Sequence, residues 1–245
     1  RLLVAAASPA FAAVDNNDVL RFNKDGKFKI MQISDTQDID IPREAMIMFM
    51  EKLSTQEADL VVFTGDQLAG GKIKTAEGVY AGIKAILQPV VDRGIPFTFV
   101  FGNHDNDDGC PVSRDEQFAY YQTFPGCLAY DAVPEMYGTG THNLPIYASK
   151  GSETKFNLWM IDSNDYDRVN GGYDYVHQDQ KLVRKASKAL EEKEGHLVPS
   201  IAFQHIIVPE VAELLVDSPF SGENAISKKL NGQNKLLISS PARLP

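Results

Sequence analysis

Four short polar clusters carry the residue types that hold cations and move protons: Asp35 with Gln37, Gly65-Asp66, Gly102-Asn103-His104-Asp105, and His205. Carboxylate, amide oxygen and imidazole are ligands for hard or borderline divalent ions and do not make a thiolate site. Taken singly, each cluster has an ordinary explanation. An Asp or a Gly-Asp after an apolar run is turn chemistry, an Asn there is a left-handed turn residue, and an isolated His is more often a satisfied core residue. All four, however, follow directly on apolar runs, so turn chemistry needs four coincidences where one shared metal site needs one. With only Asp35 and Asp66 ionised, two divalent cations would keep about two positive charges uncompensated, which suits a phosphate and a hydroxide.

Those runs, at 28–34, 59–64, 96–101 and 200–204, read as strands. Helical patterns fill the gaps: 42–55 with Pro42 in its first turn, 75–93 stopped by Gly94, and 113–124 with Ser113 and Glu116 as a capping box. Segments 144–149 and 155–161 form a hairpin around Gly151, and 178–194 is a charged amphipathic helix. Residues 162–175, rich in Asp, Asn, Gly and Tyr, make a long surface loop suited to substrate contacts. This alternation is that of an α/β protein, in which strand carboxyl ends face one crevice and distant residues converge there. Gly65 and Gly102 fit the tight turns that aim the next side chain inward.

In this order the clusters resemble the signature of the calcineurin-like metallophosphoesterases: Asp-x-His, Gly-Asp, Gly-Asn-His-Asp/Glu, a later His and a final Gly-His-x-His. The matches are Asp35-Thr36-Gln37, Gly65-Asp66, Gly102-Asn103-His104-Asp105 and His205, spanning 28 to about 210. The resemblance implies a four-layer αββα sandwich of two mixed sheets flanked by helices, with a dinuclear centre between strand ends. Asp35 and Gln37 would hold the first ion, Asp66 would bridge, and Asn103 and His205 would hold the second. The ions would be Mn, Mg, Fe or Zn, and the reaction hydrolysis of a phosphate ester by a hydroxide bridging them. His104 would contact the phosphoryl oxygens and protonate the leaving alkoxide, Asn103 would approach substrate beside it, and Asp105 would either orient His104 or cap the turn.

Two departures stand out. Gln37 replaces the usual His, and its harder amide oxygen shifts preference toward Mg²⁺ or Mn²⁺ and away from Zn²⁺. No histidine follows His205, so the Gly-His-x-His element is missing and the expectation is a domain truncated at both ends. The Asp66-Gln67-Leu68 stretch lacks the tyrosine with which purple acid phosphatases hold ferric iron. Residues 173–180 resemble the corresponding region of secreted phosphatase-like relatives. Of the other histidines, His196 precedes its strand, at the wrong end of the sheet, and His142 and His177 fall in loops where both are expected to be solvent-exposed, His177 in a place from which it could reach substrate.

The 245 residues, 27.1 kDa, are 43% hydrophobic and 23% charged, which describes a folded chain able to bury a core. The formal net charge of −9 argues against nucleic acid as a partner and leaves a small phosphorylated substrate to be drawn in by local charge. Residues 1–13 have the small, apolar pattern of a signal-peptide remnant cleaved after Ala12 or Ala13, giving a secreted or extracytoplasmic, vacuolar-type location with residues 14–245 as one domain. No stretch has the length of a membrane span. Cys110 and Cys127 would be a disulfide in that setting, or two free thiols. Phosphomonoesterase action is the favoured reading; the alternatives are an inactive metal-binding domain of the same fold, or a phosphodiesterase or nucleotidase.

Overall fold

The computed structural model describes residues 20–177 and 182–208, together with the short antiparallel pair Val216–Asp217 and Ile226–Ser227. The signal-peptide pattern at 1–13 and the first turn of the helix expected from 178 lie outside the described residues. Three strands, β1 (Ile30–Ile33), β2 (Leu60–Thr64) and β3 (Phe97–Val100), form one sheet in the order β1-β2-β3. Among the described residues both of its pairings are parallel: helical crossovers join its strands and return the chain in the same direction. Those crossovers are α1 (Glu44–Ser54) and α2 (Ala76–Val91). A third helix, α3 (Arg114–Tyr121), follows β3 and carries the expected capping box of Ser113 and Glu116.

The second sheet is mixed. Strands β4 (His142–Tyr147) and β5 (Thr154–Met160) form the expected hairpin, and β6 (Ser200–Phe203) adds parallel to β5 after helix α4 (Leu182–Glu194). Because successive strand residues point to opposite faces, each sheet serves two cores. Val61 and Phe63 pack with Val79, Ile83 and Leu87 of α2 and with Phe118 and Tyr121 of α3. Leu60, Val62 and Val100 face the other way and meet Leu144, Ile146, Leu158 and Met160 of the second sheet. Trp159 turns outward onto Val183 and Ala186 of α4. Three apolar layers of this kind define four layers of structure, helix, sheet, sheet, helix, as the resemblance implied.

His142 departs from its expected exposed loop. It opens β4 fully buried between the sheets, its Nδ1 2.6 Å from the Gly140 carbonyl and its Nε2 2.7 Å from Thr98 Oγ1. Burial lowers its pKa to about 4, so the ring is neutral. Cys110 and Cys127 are free thiols packed at the margin of the helix-side core, with burial pushing the Cys127 thiol up to about 12. Among the described residues, no helix is long and apolar enough to cross a membrane.

Candidate metal centre

The parallel register pairs Ile33 with Phe63 and Phe63 with Phe99, so all three strands of the first sheet end at one level. Their following turns carry Asp35, Asp66 and Asn103, and the turn after β6 brings in His205 from the second sheet. Backbone hydrogen bonds lash these turns together: Asp35 N–H to the Gly65 carbonyl at 3.0 Å, Gln37 N–H to that of Asp66 at 2.9 Å, and Gly70 N–H to that of His104 at 2.8 Å. Asp35, Gln37 and Asp66 all have positive φ (58°, 42° and 55°). Strain of about 1 kcal/mol or more at each such non-glycine residue persists only where the surroundings enforce it, here the hydrogen bonds between the turns.

One ligand atom each from Asp35, Asp66 and His205 lies within 4.8 Å of the others, a spacing that one cation can span. Their donor set, two carboxylates and an imidazole, fits a divalent ion. The glycines are required by contact. A Cβ on Gly65 would stand 2.6 Å from both the Gly102 nitrogen and His205 Nδ1, and one on Gly102 would run into the Asp66 carboxylate and backbone nitrogen. Gly65 also has φ 95°, which favours a residue without a side chain.

Asp66 is at the centre of the polar contacts. Its Oδ1 accepts the His104 backbone N–H at 2.8 Å, and its Oδ2 lies 3.3 Å from both His205 Nε2 and Gln37 Nε2. Burial pushes its carboxyl up, but the hydrogen bond and charge of His205 and the N–H of His104 outweigh that and leave it below the usual value. Burial likewise depresses His205, yet the Asp66 carboxylate and the Thr64 carbonyl, 2.8 Å from its Nδ1, raise it to about 9. Asp66 and His205 thus favour each other's charged forms and make an ion pair 3.3 Å apart.

Asp105 does not orient His104. Its carboxylate accepts three backbone N–H groups, from Gly102 at 2.8 Å and from Asp66 and Leu68 at 2.9 Å, and so braces the turns that follow β2 and β3. That corrects its expected place among the catalytic groups: it is fully buried, and burial pushes it up to about 6 against the pull of those N–H groups. The residue on His104 is Asp107, whose Oδ2 lies 2.6 Å from the imidazole Nδ1. Asn103 donates from Nδ2 to the hydroxyl of Tyr166 at 2.7 Å. Sequence reading assigned Asp107 no role and placed Tyr166 only in the 162–175 loop suited to substrate contacts; the third place after His104, in the same turn, was the local signal for Asp107.

His177, expected to approach substrate, is a packing element of its loop. Its ring is stacked between Tyr137 (3.7 Å between centroids) and Tyr175 (4.5 Å), with Nε2 3.0 Å from Asp174 Oδ1. His196 lies exposed ahead of β6 and bonds Glu153, at the far end of the sheet as expected.

The family model described as calcineurin-like phosphoesterase matches residues 28–224. Among curated relatives, an Arabidopsis thaliana protein named probable inactive purple acid phosphatase 14 is 29% identical over 230 residues, covering 79% of this chain and 56% of that protein. Probable inactive purple acid phosphatase 29 from the same plant is 27% identical over 226 residues, 78% of this chain and 57% of the relative. The Saccharomyces cerevisiae phosphatase DCR2 is 30% identical over 218 residues, 78% of this chain and 36% of the relative. The chain thus spans little more than half the length of the plant relatives and about a third of the yeast one. With a family match over most of its length and a metal-ligand group where that family's strand ends converge, the chain belongs to the calcineurin-like phosphoesterases, a family of divalent-metal-dependent phosphoester hydrolases.

Proposed function

We propose that this chain is the metal-binding part of a phosphatase that hydrolyses small phosphomonoesters at a centre of two divalent ions. The carrying observation is the convergence of Asp35, Asp66 and His205 from two sheets onto one point, with the His104 imidazole on the turn that bonds Asp66. In this reading Asp35 and Gln37 hold one ion, Asp66 bridges, and Asn103 and His205 hold the other, with Mn²⁺ or Mg²⁺ favoured by the Gln37 amide. When bound, the ions supply Lewis-acid stabilisation of the phosphoryl oxygens and lower the pKa of the attacking water. The protein's own part is positional. Asp105 fixes the turns, Gly65 and Gly102 allow their close approach, and His104 offers Nε2 to a substrate oxygen while Asp107 holds Nδ1. A secreted or extracytoplasmic location, from the pattern at 1–13, belongs to the same proposal.

The second reading is an inactive metal-binding domain. Its support is Gln37, whose Nε2 faces Asp66 in place of the family's imidazole, and the plant relatives' printed designation as probable inactive. Assay of the full-length protein on a chromogenic phosphomonoester and a diester, with and without Mn²⁺, separates the readings. Mn²⁺-dependent monoester hydrolysis, lowered in Asp66→Asn by at least the 10–100-fold typical of outer-sphere losses, is the expected result. Mn²⁺ binding without hydrolysis of either ester supports the inactive domain, and faster diester turnover overturns the monoesterase assignment.

A further inference from the structure

We propose that Tyr166 and Asp107 are positioning residues that link Asn103 to His104 through one hydrogen-bonded chain, an inference that rests on the metal-centre reading above. The Tyr166 hydroxyl lies 2.7 Å from Asn103 Nδ2 and 3.3 Å from Asp107 Oδ1, and the second oxygen of Asp107 lies 2.6 Å from His104 Nδ1. A phenol has one proton to give. The Asp107 carboxylate can only accept, so it takes that proton, and the hydroxyl can only accept from Asn103. The Asn103 amide is thereby fixed with its nitrogen on Tyr166, and its carbonyl oxygen, the only metal-ligating atom of the side chain, is the one left for a cation. By the same logic the carboxylate requires Nδ1–H on His104 and leaves Nε2 as the nitrogen that meets substrate.

The fold supports this chain. Tyr166 sits in the loop that leaves β5 at the level where Met160 pairs with Phe203, so the loop and His205 emerge together at the ligand end of the second sheet. The ring is held by a backbone bridge and stacking with Tyr173, 5.9 Å between centroids, and by the Arg168 guanidinium 5.4 Å from its centre. Arg168 is in turn tied to Asp108, the neighbour of Asp107, at 3.1 Å. A hydroxyl carried on so braced a ring can fix an amide and a carboxylate at once.

Two variants of the full chain test this, Tyr166→Phe and Asp107→Ala, read by calorimetric Mn²⁺ titration and by ¹⁵N spectra of labelled histidine in metal-free protein with the ring neutral. Tyr166→Phe is expected to weaken Mn²⁺ binding about tenfold, the scale of a lost outer-sphere partner, with an unchanged melting temperature of the metal-free protein. Asp107→Ala is expected to move His104 from the Nδ1–H form to the Nε2–H form that free imidazole side chains prefer. Unchanged Mn²⁺ affinity in Tyr166→Phe overturns the Asn103 half, and a His104 that keeps Nδ1–H in Asp107→Ala overturns the other. Failure of the wild-type chain to bind Mn²⁺ at all overturns the metal-centre reading and the Asn103 half with it, while the spectra still decide the His104 half.

Discussion

Replacing His142 should remove a large part of the protein's sensitivity to acid. The native ring is neutral: Nδ1–H donates to the Gly140 carbonyl, Nε2 accepts from Thr98, and no solvent reaches it. Its folded pKa is depressed to about 4 from the ordinary histidine value of about 6.5, because burial penalises the charged form. Between those values the unfolded chain binds a proton that the native chain refuses, so stability present above the unfolded pKa is lost as pH falls toward the folded one. Over the whole window the loss approaches about 3 kcal/mol, and between about pH 7.5 and about pH 4.5 it is about 2.5 kcal/mol. The assay is urea unfolding of wild type and His142→Asn at those two pH values, with a chelator present so that metal linkage does not contribute. Both proteins share the carboxylate background, so the difference between their acid losses isolates this imidazole. Equal losses in the two proteins, or a His142 resonance in the folded protein that titrates like an exposed histidine, would refute the reasoning.

Two further outcomes follow from contacts at the site. Gly102→Ala should abolish Mn²⁺ binding in calorimetry, because the new methyl enters the space of the Asp66 carboxylate and backbone nitrogen; the control Gly94→Ala, with open space and only φ 64° to strain it, should bind normally and lose about 1 kcal/mol of stability. Arg114→Met should cost about 3–5 kcal/mol in denaturant unfolding, because Asp162 is completely buried and loses the guanidinium 3.0 Å away that offsets its charge. Survival of that variant within about 1 kcal/mol of wild type would show that the Thr139 and Asn164 N–H groups suffice to hold the carboxylate.

What the sequence determined by itself is local. Short apolar runs specify strands because both faces of strands such as β2 and β3 are buried, capping residues such as Ser113 specify a helix start because they satisfy its free N–H groups, and the Gly-Asn-His-Asp run specifies a polar turn at a strand end. The tertiary structure decided which of these meet. His205 reaches Asp66 only because the sheets stack face to face, Asp105 took the turn-bracing one of its two expected roles because the turn after β2 folds over it, and Asp107 is the carboxylate on the His104 imidazole. His142 and His177 carried no local mark distinguishing a buried intersheet ring from a stacked loop residue. Their environments are made by Thr98, Tyr137 and Tyr175, which long-range packing brings close or local sequence leaves unoriented, and a hydrogen bond across sheets exists only once the core between them has closed.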